Sequence, residues 1–211
     1  MKKISAVYLC VIAFICMTAI SVQGAGDRAI FNAVFDGNVP ALKKLIDGGS
    51  DINQRDVRKK TPLMIASEKG RLDAVNFLVE QGADIHLTVN GRPGGYTALT
   101  LAAINKHADV AIYLIDKGAK IEKGDVMYAA SGSCTLLKYM ADKGADMNAV
   151  HSRNMTALIY AAGNGNLDAV KFLVDKGVNI KAADKQGQTA LDWARKNKRA
   201  AVVAYHESKM K

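Results

Sequence analysis

The chain has 211 residues, 49% of them apolar, with 29 Lys and Arg against 20 Asp and Glu and a formal net charge of +9. That apolar share is enough for one continuous core and too large for a disordered chain. Only three cysteines occur, two of them within the first 16 residues, which excludes an internal disulfide framework.

The first element is expected to be an export signal, an uncleaved membrane anchor being the alternative. Met1-Lys2-Lys3 is a basic head, Ile4 to Ile20 is apolar apart from Ser5, Tyr8 and Thr18, and Ser21-Val22-Gln23-Gly24-Ala25 supplies small residues for cleavage. Cleavage is expected after Gly24, with Ala25 as the alternative. The apolar run is slightly short for a transmembrane helix. No lipoprotein-type pair of small residues precedes Cys10 or Cys16. Removing residues 1–24 takes away Lys2 and Lys3 and leaves +7 on residues 25–211. Cys134 then remains alone. Its place in an apolar column predicts a buried, inert thiol, a disulfide between two copies being the alternative.

Repeats follow in order. Thr61-Pro62-Leu63-Met64-Ile65-Ala66-Ser67 recurs as Thr97-Ala98-Leu99-Thr100-Leu101-Ala102-Ala103 and as Thr156-Ala157-Leu158-Ile159-Tyr160-Ala161-Ala162, with a damaged copy at Thr189-Ala190-Leu191-Asp192-Trp193-Ala194. Each leads to a second apolar stretch that closes near a glycine. These marker glycines are Gly49, Gly82, Gly118, Gly144 and Gly177, spaced 33, 36, 26 and 33 apart. Local signals agree on helix pairs. Thr61 can cap a helix through its hydroxyl, and Pro62 suits the first helical position, where no N–H is needed. Leu72, Val75, Leu78 and Val79 fall on one helical face, and Gly82 suits a left-handed stop.

A period near 33 with a Thr-Pro-Leu opening and an Ala-Ala pair resembles the ankyrin repeat, over about Ala29 to His206. The resemblance implies an all-α solenoid of stacked helix–turn–helix units with short β-hairpin loops. The expected units are 29–53 (a cap), 54–86, 87–121, 122–148 (short), 149–180 and 181–206 (a second cap). Stacking makes columns. Val39, Leu72, Ala108, Cys134 and Leu167 form one, and Phe77, Tyr113, Tyr139 and Phe172 form an aromatic one; both are expected in the core. The histidine of the family's opening is replaced by Met64, Thr100, Met127 and Ile159, which predicts looser first helices. The unit 122–148 lacks the opening and most of its hairpin, with Asp125 expected as the helix cap. The unit 87–121 carries three extra residues within Asn90-Gly91-Arg92-Pro93-Gly94-Gly95-Tyr96.

Enzyme signatures are absent. His86, His107, His151 and His206 lie far apart, and none has metal-ligand spacing to another His or Cys. Gly163-Asn164-Gly165 lacks the lysine and hydroxyl of a phosphate loop, and no strand precedes Ser131-Gly132-Ser133-Cys134 to make a nucleophile elbow. No catalytic residue, metal or cofactor is expected. A hydrolase with an unrecognised site stays open as an alternative.

Members of the family bind through hairpin tips and the exposed face of the first helices. In this sequence that surface includes Arg55, Arg58, Lys60, Lys69, Arg92, Tyr96, Ile104, Asn105, Arg153, Met155, Asn164, Lys185 and Gln188. Arg55, Arg58, Lys59 and Lys60 cluster with only Asp56 against them, and Tyr with Arg is the pairing enriched at binding hot spots. The expected function is non-catalytic protein binding, toward an acidic partner surface, as a monomer or one-to-one complex. An exported chain is not expected to meet nucleic acid, nor to keep a membrane span once the signal is removed. The periplasm is the expected location, secretion the alternative. An immunity or protective factor for a toxin or envelope enzyme is a further alternative.

Overall fold

The computed structural model describes residues 28–91 and 94–209. The segment expected to be an export signal and Arg92 therefore lie outside the described residues. Twelve α-helices and no strands occur among them, with isolated β-bridges pairing Val150 with Thr156 and Ala183 with Thr189. The expected hairpin loops are thus fingers closed by single bridges and turns.

The helices come in pairs. They are α1 (28–36) with α2 (Val39–Asp47), α3 (Pro62–Glu68) with α4 (Leu72–Glu80), and α5 (Ala98–Ile104) with α6 (Ala108–Asp116). Then come α7 (Lys123–Gly132) with α8 (Cys134–Asp142), α9 (Ala157–Asn164) with α10 (Leu167–Asp175), and α11 (Ala190–Lys196) with α12 (Ala200–Lys209). From α3 onward, each first helix packs on the next first helix, and second helices likewise pack on second helices.

The first helices α3, α5 and α11 have only seven residues. Helices that short do not persist alone in water, so caps and burial hold them. Thr61, Thr97, Thr156 and Thr189 each accept a hydrogen bond from the backbone N–H three residues on. Six of the seven residues of α5 are buried, and a fully buried leucine such as Leu99 contributes about 2 kcal/mol. The second helices bury one stripe: Ala74, Val75 and Leu78; Val110, Ala111 and Leu114; Leu136, Leu137 and Met140; Ala169, Val170 and Leu173.

Both expected columns sit at the margin of this core. Val39, Leu72, Ala108, Cys134 and Leu167 are half-buried, as are Phe77, Tyr113, Tyr139 and Phe172. The aromatic rings face outward enough for lysines to cover them: Lys117 over Tyr113 at 5.4 Å, Lys143 over Tyr139 at 5.1 Å and Lys176 over Phe172 at 5.5 Å. The ammonium meets the electron-rich ring while its stem covers apolar surface. Burial pushes the Cys134 thiol above its ordinary pKa, which leaves little thiolate for reaction.

Hydrogen bonds also stitch unit to unit. The residue that enters a second helix binds a carbonyl near the end of the preceding first helix. Arg71 Nε donates to Phe35 O (3.1 Å), His107 Nε2 pairs with Glu68 O (3.2 Å), Asn166 Nδ2 donates to Ala130 O (3.0 Å) and Arg199 Nε to Gly163 O (3.2 Å). These carbonyls belong to the unpaired last turn of a helix, so each bond satisfies an orphan and fixes the stacking register. His107 thus serves the fold. Ser133, at the corresponding place before α8, instead caps its own helix by accepting from Leu136 N.

The short unit is explained by counting. Eight residues separate Ile52 from the cap Thr61, Met147 from Thr156, and Ile180 from Thr189; eleven separate Ile85 from Thr97. None separates Ile121 from Glu122, and Glu122 is the cap of α7. A whole finger is missing. The turn that launches each finger elsewhere is closed by the marker side chain: Asp51, Asp84, Asp146 and Asn179 each accept from the backbone N–H two residues on. Lys120 stands at that place before the missing finger and cannot accept.

Two sequence assignments change here. Asp125 is the third residue of α7 rather than its cap, and its carboxylate returns a bond from Glu122 N at 2.8 Å. It is Asp125, not Met127, that occupies the slot of Met64, Thr100 and Ile159. The two-residue shift follows from the helix starting at Lys123, directly after the cap Glu122.

Candidate protein-binding face

The fingers and first helices form one face. Their segments, 54–71, 87–107, 121–133, 148–166 and 181–199, hold sixteen Lys and Arg against six Asp and Glu. The second helices and their closing turns, 72–86, 108–120, 134–147 and 167–180, hold six against nine. The positive charge of the chain is therefore segregated onto the finger face. The fingers add basic loops on one side, while three of the second helices begin with an acid, Asp73, Asp109 and Asp168, favoured at a helix N-terminus.

The residues expected to bind divide by what their side chains already do. Arg55 is half-buried, and its guanidinium donates to Lys59 O (2.7 Å) and Thr88 O (2.9 Å), tying the first finger to the second. Lys60 is half-buried and paired with Glu68. Both are structural cations, which spacing alone could not separate from their exposed neighbours. Asp56 accepts from Arg58 N and Lys60 N, both at 2.8 Å. This turn leaves Arg58 and Lys59 exposed at its tip beside Val57, which is 97% exposed. Lys59 belongs to the exposed set in place of Lys60.

Farther along, Lys69 is exposed and its ammonium lies 4.7 Å from the ring centre of Phe35, itself exposed. Asn105 and Asn164 turn their amides back to Leu101 O (2.8 Å) and Tyr160 O (2.9 Å), so they finish helices. Ile104 and Met155 are half-buried. Arg153 is exposed at a tip of positive φ (61°), and its carbonyl accepts from Lys185 N at 2.9 Å. That bond joins the fourth and fifth fingers and leaves the Lys185 side chain exposed; Gln188 N is held by Asp184.

Sequence reasoning missed an aromatic ladder. Tyr96, Tyr128 and Tyr160 stand edge to face, with ring centres 6.2 and 6.1 Å apart. The hydroxyls of Tyr96 and Tyr128 are 3.4 Å apart. Such pairs stabilise by about 0.5–1.5 kcal/mol each beyond area burial. The exact 32-residue interval of the three tyrosines is the signal that could have found it. The ladder ends at two clefts that share Met155, Tyr160 and Trp193, of about 510 and 450 Å³. Trp193 Nε1 donates to Asp184 Oδ2 at 2.9 Å, which sets the indole as their wall.

Beneath the ladder lies Asp125, fully buried, with Oδ1 unpaired. Burial raises its carboxyl to about 6, and the bond from Glu122 N works against that rise. Burial is also the largest influence raising the Tyr128 phenol. No group of three or more His, Cys, Asp or Glu among the described residues is placed to hold a metal ion. No described helix is long and apolar enough to cross a membrane.

Comparison with known proteins agrees with this architecture. The family model for ankyrin repeats (three copies) matches residues 30–125 and 126–205. Alpha-latrocrustotoxin-Lt1a of Latrodectus tredecimguttatus is 43% identical over 98 residues, which is 46% of this chain and 7% of the toxin. A putative ankyrin repeat protein of Rickettsia bellii is 30% identical over 98 residues, 46% of this chain and 27% of that protein. The match thus spans only a small part of these relatives' length. Among solved structures, one chain from the complex of the predatory endopeptidase Bd0816 of Bdellovibrio bacteriovorus with immunity protein Bd3460 superposes with a TM-score of 0.76. It is 31% identical, over 86% of this chain and 97% of that one. Repeat fingers, paired helices and the family match together establish that this chain belongs to the ankyrin-repeat family, whose stacked units serve as protein-binding scaffolds.

Proposed function

We propose that this chain grips an acidic surface of a protein partner through its finger tips and first-helix face, without catalysis of its own, after export to the periplasm. The observation that carries the reading is the charge of the finger and first-helix segments, sixteen Lys and Arg against six Asp and Glu in the sequence, of which Arg55, Lys60, Arg71 and Arg199 are bound within the fold. Exposed Arg58, Lys59, Arg153 and Lys185 supply the charge, and Tyr96 supplies an exposed aromatic anchor. Complementary charge speeds encounter and fixes orientation, while desolvated aromatics slow release.

A specific observation favours one class of partner. The superposed solved chain comes from an endopeptidase–immunity protein complex and is matched over nearly its whole length. On that ground the partner is a hydrolase of the cell envelope or a toxin, and this chain is its one-to-one protective factor. The test is recovery of a single stoichiometric partner with tagged residues 25–211 from envelope extract, then assay of that partner's activity with and without the chain. Loss of activity on binding supports the protective role. Absence of any stoichiometric partner, or hydrolysis by the chain itself in a panel of peptidase, esterase and phosphatase substrates, overturns the reading.

A further inference from the structure

Trp193 stands where the next rung of the tyrosine ladder belongs. Tyr160 is the fourth residue of α9 after its cap Thr156, and Trp193 is the fourth residue of α11 after its cap Thr189. The ladder nevertheless stops. Tyr128 meets Tyr160 at 6.1 Å, whereas no ring contact joins Tyr160 to Trp193 among the described residues. The indole is held elsewhere: its Nε1 donates to Asp184 Oδ2 in the fifth finger at 2.9 Å. Its Cε3 lies 3.6 Å from where a β-carbon of Gly163 would be, so it rests on α9 at the one helical residue without a side chain there. Asp184 is itself fixed. It is buried, and its Oδ1 accepts from Gln186 N and Gln188 N at 2.9 Å each. Three hydrogen bonds thus hold the gap between the last two rungs open.

The gap reaches the surface as the two clefts of about 510 and 450 Å³, which adjoin across Met155, Tyr160 and Trp193. Each volume falls within the roughly 300–1,000 Å³ of ordinary binding sites. The floor is apolar and the ends are cationic. Arg153 lines the cleft at the finger end, and Arg199 lines the cleft at the helix end. Among the described residues that line the clefts, Asp184 alone is acidic, and both its oxygens are occupied. Lys196 lies 5.0 Å from the centre of the Trp193 ring and acts on Asp184 as well. Arg153 and Arg199 are exposed, and neither is within ion-pair distance of an acid among the described residues.

We propose that this groove receives a segment of the protein partner in which an aromatic side chain is flanked by Asp or Glu. The ring enters between Tyr160 and Trp193 and completes the ladder, where edge-to-face neighbours favour it. The flanking carboxylates meet Arg153 at the finger end and Arg199 at the helix end. Trp, Tyr and Arg converge here, and these are the residue types that dominate the energy of protein interfaces. A groove already held open by its own hydrogen bonds loses little to reordering when it is filled. The inference rests on the protein-binding reading and names the part of the face, and the kind of segment, that recognition uses.

Trp193 is the single tryptophan of the chain, so its fluorescence reports on this groove alone. The probe is a phage library of random linear twelve-residue peptides without tryptophan, selected on the mature protein. The expected result is enrichment of peptides that place Phe or Tyr beside Asp or Glu. Synthetic copies should shift the Trp193 emission and bind Arg153→Glu about tenfold more weakly than the parent. Arg58→Glu, at a distant finger tip, should bind them as the parent does. Both substitutions are at exposed positions, and circular dichroism checks that each variant folds. Enriched peptides that lack acids or aromatics, that leave the Trp193 emission unchanged or that bind Arg153→Glu at full strength overturn the groove, as does selection that enriches nothing. A stoichiometric partner that binds Arg153→Glu as tightly as the parent also removes the groove but leaves the protein-binding reading standing.

Discussion

The imidazole of His107 lies against Gly70 so closely that a β-carbon there would sit 2.4 Å from Nδ1. Gly70 also has φ 65°, which L side chains rarely adopt. The ring can come this near because the position has no side chain, and nearness lets Nε2 reach Glu68 O. Gly70→Ala is therefore expected to cost about 2–3 kcal/mol, combining backbone strain with a clash in a stacked interface. Gly82→Ala separates the two effects, since Gly82 has φ 88° but an open surround. It should cost about 1 kcal/mol. Urea unfolding of both variants is the measurement; equal losses would mean that the His107 contact contributes nothing.

Asp125 makes the short unit sensitive to pH. Its folded pKa is about 6 against 3.8 for the ordinary group, so the folded state holds the proton more tightly. The burial penalty is full above pH 6, shrinks as pH falls, and is gone below pH 4. Asp125→Asn keeps an acceptor for Glu122 N and removes the charge. It should stabilise the protein by about 1–3 kcal/mol at pH 7.5, with the gain vanishing near pH 4. Thermal melts across that range check this, and a gain independent of pH would overturn it.

The same unit should open most readily. It lacks a finger, its entry residue Ser133 caps its own helix rather than stitching to α5, and it buries an incompletely paired carboxylate. Amide exchange is expected to be faster for residues 124–133 than in the other internal helices. Protection there equal to that of α5 and α9 would contradict this.

Once a partner is in hand, the two parts of the finger face should separate kinetically. Arg58→Glu with Lys59→Glu changes exposed charge only, so association should slow and its salt dependence should flatten or reverse. Tyr96→Ala removes an anchor and should speed dissociation, at a cost of about 2 kcal/mol. Surface plasmon resonance at two salt concentrations reads both. Unchanged kinetics in both variants would take this face out of the interface.

Export predicts a processed N-terminus. Mass spectrometry of the native protein should find a chain beginning at Ala25 or Gly26, from the basic head, apolar run and small residues at 1–25. A full-length cytosolic chain starting at Met1 would overturn it.

The repeat period, the Thr caps, the glycine stops and the break at Ile121 were all legible in the sequence, because each is a local backbone requirement repeated at one register. Even the site of the missing finger is written there, as Lys120 in place of an acid or amide that could close the launching turn. What stacking decided was which side chains remain available. Arg55 and Lys60 sit in the same basic cluster as Arg58 and Lys59, yet the first two are bound within the fold. The two columns expected inside lie at its margin because second helices bury one narrow stripe, and lysines cover what is left. Tyr96, Tyr128 and Tyr160 belong to three units and touch only because those units stack in register. Asp125 is buried because α7 starts at Lys123, which turns that carboxylate under the ladder. Contacts between units depend on the angle and phase at which whole helices meet, and no stretch of sequence within one unit encodes that.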